Sequence, residues 1–250
     1  MLRDKLRDKD YFDENIEFSI ETIEEYIDDL KTDQSLTTES KMKFAFGIVS
    51  YLVSLMHERY SRGDNLLEFK VHLDMALEYR QWQKHYADAL PENEQVERIQ
   101  WEELHEDDMR RTLIWLAFAY CLDMGQAYYQ QVLELIANQG QDGLLDNIAV
   151  AMGDTTREVA QSTLFKKRFG KLYKVVEGSP EQRPALVKAY LDAWYKAEGS
   201  PDYHLMDTDA YIGYWCWGAA LVVKLYNIDD SSFIDHEYYP KDLVHWQDNK

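Results

Sequence analysis

Between Tyr226 and Trp246 the sequence reads YNIDDSSFIDHEYYPKDLVHW, which places Asp229, Asp230, Ser231, Ser232, Asp235, His236 and Glu237 between two apolar segments. Carboxylates and an imidazole at this density could hold a metal ion, activate water in a hydrolase, or cap a series of turns. A calcium loop starting at Asp229 needs oxygen ligands at its third and fifth positions, Gly at the sixth and Glu at the twelfth. Ser231, Phe233, Ile234 and Pro240 stand there instead, so that motif fails. A phosphohydrolase of the HD type presents His followed by Asp, whereas here Asp235 precedes His236. Turn chemistry accounts for more of the stretch. Asn227 suits a left-handed helix C-cap, Ser232 with Asp235 three residues later has the spacing of a capping box, and Pro240 suits the first position of a last helix carrying Leu243, Val244 and Trp246. A metal-dependent hydrolase using Asp229, Asp230, Asp235 and His236 stays open as an alternative; the expectation is no metal and no cofactor.

Other constellations are weaker. Glu102 and His105 have the i, i+3 spacing of half a carboxylate di-iron site, but such bundles need two copies plus two lone glutamates, and a surface ion pair explains the pair better. His57, His72 and His85 fall on separate helical segments. No GxSxG, GxxxxGK[ST] or GxGxxG occurs, so the nucleophile elbow and the phosphate-cradling loops are not present. The basic run KKRFGKLYK, with Lys166, Lys167, Arg168, Lys171 and Lys174, is expected to pair with acidic neighbours or to solvate one face. Cys121 and Cys216 sit inside apolar helical segments, which predicts packed, reduced thiols.

The elements that carry these residues all read as helices. Ile16, Ile20, Ile23, Ile27 and Leu30 recur at steps of three and four, predicting an amphipathic helix over 12–31 whose other faces carry Glu17, Glu21, Glu24, Glu25, Asp28 and Asp29. TTES caps a second helix stopped by Gly63. A third spans 64–89, with Leu66, Leu67, Phe69, Leu73, Ala76 and Leu77 in its core. EDDMRRTLIWLAFAYCLDMG opens on acids, as the helix dipole favours, and is apolar nearly all round, so it is expected at the centre. Helical segments follow to Gly140, through LLDNIAVAMGD, through TLFKKRFGKLYKVV and through EQRPALVKAYLDAWYKAEG. A last long helix is expected from an Asp207/Thr208 cap to Asn227, with Tyr211, Tyr214, Trp215 and Trp217 packed in the core and Gly213 and Gly218 allowing another helix to approach. No period-two run bounded by hairpin turns is found. The class is all-α, a helical bundle-like protein of two modules, 1–127 and 128–250.

Charge is the most informative bulk property. The chain carries 27 basic and 46 acidic residues, net −19. Residues 1–125 hold 15 basic against 28 acidic, or −13, and the remainder 12 against 18, or −6. Such a field repels nucleic acid and anionic membrane and accelerates encounter with a basic partner. The charged start, MLRDKLRDKDYFDEN, lacks the apolar core of a secretory signal, and the longest apolar runs fall short of the ~20 residues that span a bilayer. A cytoplasmic protein is expected, with a solvated acidic surface or an acidic docking face.

The run YIGYWCWGAALVVKLYNIDDSSFIDHEYYPKDLV, Tyr211–Val244, resembles the C-terminal signature of the PoNi family of immunity proteins. It has an aromatic-rich segment with small residues, then Ile-Asp-Asp-Ser-Ser, then Asp-His-x-Tyr-Tyr-Pro and a final Asp-Leu-Val. The resemblance implies an all-helical, two-module protein, not an enzyme, that binds and neutralises a cognate PoNe-type DNase toxin delivered by contact-dependent routes such as type VI secretion. Gly213, Tyr214, Trp215, Asp229, Asp230, Ser231, Ser232, Asp235, His236, Tyr238, Tyr239 and Pro240 carry over as family markers with a mainly architectural role. Against such a partner the acidic surface acquires a purpose, because a DNase presents a basic cleft to a polyanion. Charge density singles out Glu24, Asp28 and Asp29 on the first helix, and Asp207 and Asp209 beside the C-terminal one, as toxin contacts. An acidic helical adaptor without a toxin partner is the remaining alternative.

Overall fold

The computed structural model describes residues 1–247, apart from the side chains of 99–101. Among the described residues there are eleven α-helices and no strand: α1 (Lys9–Thr32), α2 (Thr38–Arg62), α3 (Phe69–Asp88), α4 (Gln95–Glu102), α5 (Glu106–Cys121), α6 (Gln126–Ile136), α7 (Gly143–Ala151), α8 (Lys166–Glu177), α9 (Arg183–Ala197), α10 (Trp217–Tyr226) and α11 (Lys241–Val244). The chain forms two compact units. One comprises Met1–Glu103 with Tyr203–Gly213, the other Leu104–Asp202 with Tyr214–Lys250. The 127/128 join expected from sequence falls inside α6, within the second unit.

In the first unit α2 packs between α1 and α3. Its N-cap Thr37 side chain accepts from Ser40 N at 3.1 Å, supplying one of the orphan amides of the first turn with a partner. At the other end Gly63 adopts φ +96°, and a Cβ there would lie 1.9 Å from the Met1 carbonyl oxygen. Glycine is therefore required twice over, by backbone conformation and by space. The apolar stripe of α1 is narrower than its isoleucines suggest. Phe12, Ile16 and Ile23 are buried, Ile27 and Leu30 are half-buried, and Ile20 is 40% exposed. In α3 Phe69, Leu73, Ala76 and Leu77 are core residues as expected, but Leu67 is not. It sits in a 3-10 turn, Leu66–Glu68, whose tighter winding turns Leu66 inward and Leu67 outward. α4 has no counterpart in the sequence reading.

In the second unit α10 packs against α5, α7, α8, α9 and α11. Trp217 and Gly218 through Val223 are all buried. A Cβ on Gly218 would approach Leu172 of α8 to 2.7 Å, so glycine permits the close helix contact anticipated for it. α5 buries every residue from Leu113 to Ala119, as its unbroken apolar run requires. Both cysteines are buried and free, and burial raises the Cys121 thiol to about 12.

Two helical expectations need correction. The last long helix does not start at Asp207/Thr208; α10 begins at Trp217, and Tyr211, Tyr214 and Trp215 lie in irregular chain ahead of it. Gly213 has φ +107°, which ends any helical path, and Cys216 N donates to Tyr238 O at 2.8 Å, a partner outside helical register. The segment ending at Gly140 stops earlier, at Ile136, because Ala137 and Asn138 already take φ +53° and +54°.

Candidate functional site

The acidic residues singled out by charge density all belong to the first unit. Glu24 and Asp28 are exposed and Asp29 is half-buried on the C-terminal half of α1, while Asp207 and Asp209 are exposed in the 203–213 segment. That segment is tied to the opposite end of α1. The Tyr11 hydroxyl donates to Tyr211 O at 2.9 Å, and Asn15 Nδ2 donates to Asp209 O at 3.4 Å. Tyr211 is itself buried and its hydroxyl donates to Asp4 Oδ2 at 2.5 Å. Ser61 Oγ donates to Ile212 O at 2.7 Å, and His57 Nε2 donates to Gly213 O at 3.1 Å. From Asn15 to Glu24 or Asp28 the helix rises about 14–20 Å, so the two acidic groups occupy different stretches of one helix and do not form a single cluster.

Glu14, Glu17, Glu21, Glu24, Glu25 and Asp28 are all exposed on α1, and none forms an ion pair among the described residues. Like charges three and four apart on a helix are mutually destabilising by a few tenths of a kcal/mol per pair. This face thus stands at some cost to the helix that carries it.

Beneath the 203–213 segment lies an acid that charge density does not reveal. Glu58 on α2 is 5% exposed; it accepts a hydrogen bond from Ser19 Oγ at 3.0 Å. Burial pushes its carboxyl up to about 7, against the Ser19 bond and with help from the Asp209 charge. Its sequence neighbours, MHERY, look like an ordinary helix end, and the signal that could have found it is its place on the face that carries Leu55. Nearby, His72 Nε2 accepts from Arg59 Nη1 at 2.7 Å, and burial together with that cation lowers the imidazole to about 4. It is a neutral structural acceptor.

The Asp229–Pro240 stretch lies in the second unit as a run of turns, in which Phe233 N, His236 N and Tyr239 N donate to the carbonyls of Asp230, Phe233 and His236, each at 2.9 Å. Its side chains diverge onto separate partners. Asp229 Oδ1 accepts from Ser231 N at 3.0 Å, Asp235 pairs with Lys241 at 2.7 Å, and His236 Nε2 lies 3.4 Å from Asp192. Asp230 is buried, and its Oδ2 accepts from the Tyr239 hydroxyl at 2.8 Å and from His245 Nε2 at 2.7 Å. Ser231 and Ser232 are exposed, and Pro240 is the N-cap of α11. Tyr238 packs against Trp194 and stacks on Tyr195 at 5.2 and 5.5 Å, and Tyr214 meets Tyr195 at 5.1 Å. Among the described residues no three metal-ligating side chains converge. Asn227 ends α10 in the left-handed region, φ 49°, as its type suggested. Replacing Asp230 by alanine would remove the shared acceptor of the Tyr239 hydroxyl and the His245 imidazole; we expect a loss of about 1–3 kcal/mol, read as a fall in Tm, with Asp230→Asn retaining part of it.

Residues 140–243 match the family model for PoNe immunity proteins (PoNi), C-terminal. The C-terminal part of the chain is thus similar to that of PoNe immunity proteins. The matched region covers α7 to α11 and ends one residue before the last residue of α11, so the PoNi signature falls on the turns and buried helices just described. No curated protein matches the chain. The protein resembles the crystal structure of protein PA2201 from Pseudomonas aeruginosa, with a TM-score of 0.75 and 18% identity over 98% of this chain and 90% of that one. At that identity the likeness speaks for the all-helical fold.

The remaining basic and His-bearing motifs are placed plainly. Arg168 faces Asp107 at 3.2 Å, Glu198 at 3.6 Å and Glu106 at 3.9 Å. Lys166, Lys167, Lys171 and Lys174 are exposed and form no ion pair among the described residues. Glu102 pairs with Arg98 at 2.6 Å at the end of α4, and His105 is the N-cap of α5. Missed by the sequence reading is a buried lattice within the PoNi region. Asp142 caps α7 and also accepts from Thr163 Oγ1 and Leu164 N, at 2.8 and 2.7 Å. Asp146 accepts from Arg157 Nε at 2.7 Å and Ala160 N at 3.0 Å, with both side chains of the ion pair wholly buried.

Proposed function

We propose that this protein is an immunity protein that binds a PoNe-type DNase toxin and neutralises it, covering the toxin's basic DNA-binding or active-site surface with an acidic helical surface. The match of residues 140–243 to the PoNi family carries the reading. Net charge −19 supports it, as do the six exposed α1 carboxylates that no cation of the described residues neutralises. A basic nuclease would meet these charges at long range, which steers encounter and raises the association rate. Glu24, Asp28, Asp29, Asp207 and Asp209 are the proposed contacts. The protein acts by occupancy and not by turnover, in the cytoplasm of the cell that makes the toxin, and binds neither nucleic acid nor membrane. No helix among the described residues is long and apolar enough to cross a membrane. The two modules, 1–127 and 128–250, are proposed to act together on one toxin.

Co-expression with the PoNe-type nuclease domain of the same locus tests the proposal: growth recovers with the wild-type chain and does not without it. Failure to recover, with both proteins soluble, overturns the pairing. The triple change Glu24→Lys, Asp28→Lys, Asp29→Lys is expected to slow association about tenfold or more at low salt and to flatten its dependence on ionic strength. An unchanged rate would remove these three residues from the docking surface.

A further inference from the structure

One face of α3 carries exposed apolar side chains. Val71 and Trp82 are 56% and 44% exposed, and Leu67 in the preceding turn is 44% exposed. Eleven residues is about three helical turns, so Val71 and Trp82 lie on one side of α3 roughly 16 Å apart, and Asp74 and Glu78 fall between them on the same side. Both carboxylates are exposed and neither forms an ion pair among the described residues. The indole is held in place before any partner arrives: it stacks on Tyr86, centroids 5.7 Å apart and 24° between planes, and meets His85 edge-on at 5.6 Å.

An exposed indole fixed by its neighbours is the side chain most often found at the energetic centre of an interface, where little entropy is lost on docking. The carboxylates beside it decide the partner. A second copy of this chain would set Asp74 and Glu78 against their own like charges, in a molecule of net charge −19; a lipid surface of anionic headgroups is repelled for the same reason. A basic protein surface with an apolar notch satisfies both components. We infer that the α3 face formed by Leu67, Val71, Asp74, Glu78 and Trp82 is a docking surface for a basic protein, with Trp82 as its anchor. This rests on the proposed immunity function, and the basic protein is then the nuclease domain itself. The α1 carboxylates act at long range in this arrangement, and α3 supplies the contact that sets the dissociation rate.

The test uses the full chain and the nuclease domain, with Kd and both rate constants measured by surface plasmon resonance. Trp82→Ala is expected to weaken binding at least about thirtyfold, mainly through faster dissociation. Val71→Asp, at a position open enough to leave the helix intact, is expected to weaken it in the same direction. Asp74→Lys with Glu78→Lys slows association. Circular dichroism and Tm serve as controls on folding. Wild-type affinity in both Trp82→Ala and Val71→Asp overturns this inference and leaves the immunity reading standing. No complex with the wild-type chain overturns both. Sedimentation showing a wild-type dimer that Val71→Asp dissociates, with nuclease binding unaltered, assigns the face to a second copy and overturns the inference too.

Discussion

Glu58→Gln is expected to stabilise the protein by about 3 kcal/mol at pH 8 and to change its stability little at pH 4. The folded carboxyl titrates at about 7 against an ordinary value of 4.5, chiefly because it is buried. Below 4.5 both folded and unfolded chains hold the proton. Between 4.5 and 7 the unfolded chain releases it while the folded chain keeps it, so the stability of the wild type falls as pH rises through that window. Above about 7 the folded chain carries a buried anion, and the full cost, about 1.4 kcal/mol per pH unit of displacement, has been reached. Glutamine can still accept from Ser19 Oγ and has nothing to ionise. Denaturant unfolding of both proteins from pH 4 to pH 8 measures the difference. An equal offset at every pH would show that Glu58 titrates normally. Removing the neighbouring charge by Asp209→Asn is expected to lower the Glu58 midpoint, because that charge adds to the upward shift.

Asp146→Ala is expected to cost about 3–5 kcal/mol, the range for breaking one side of a buried ion pair. Arg157 would keep its bond to Ala137 O, 2.6 Å, and the more distant Asp154 carboxylate at 3.7 Å, but lose its nearer one, and Ala160 N would lose its acceptor as well. The loss should appear as a Tm fall of roughly 6–20 °C, on the scale expected for a chain of this size. Replacing both partners, Asp146→Leu with Arg157→Met, should recover a large part of it, since neither charge is then buried alone. A double variant as unstable as the sum of the single ones would show that the two side chains act independently.

These two effects come from residues that sequence reading passed over, and the reason is physical. Local signals in the chain report local structure. Isoleucine spacing shows α1, Thr37 and Gly63 bracket α2, and Asn227 ends α10 where its conformational tolerance suggested. Asp142, by contrast, owes its burial to Thr163 and Leu164, some twenty residues on, and Asp146 to Arg157. Nothing within one helical turn marks either aspartate as internal. Glu58 looks like a surface acid at a helix end until the 203–213 segment is laid beside α1. That segment also defeated the helix expected from Asp207, since Tyr211–Cys216 is apolar enough to be helical but is held in irregular form by Tyr11, Ser61, His57 and Tyr238. The Asp229–Pro240 stretch was legible as turns from its capping residues. Its one internal acceptor, Asp230, became visible only once Tyr239 and His245 were placed.

The proposed function is that this chain silences a nuclease by occupying it. The most direct measurement is cleavage of linear duplex DNA by the purified PoNe-type nuclease domain, titrated with the purified full chain at physiological salt. Cleavage is expected to fall linearly and to stop near one chain per nuclease, with no loss of the chain itself. Undiminished cleavage at a severalfold excess of folded chain would contradict the account.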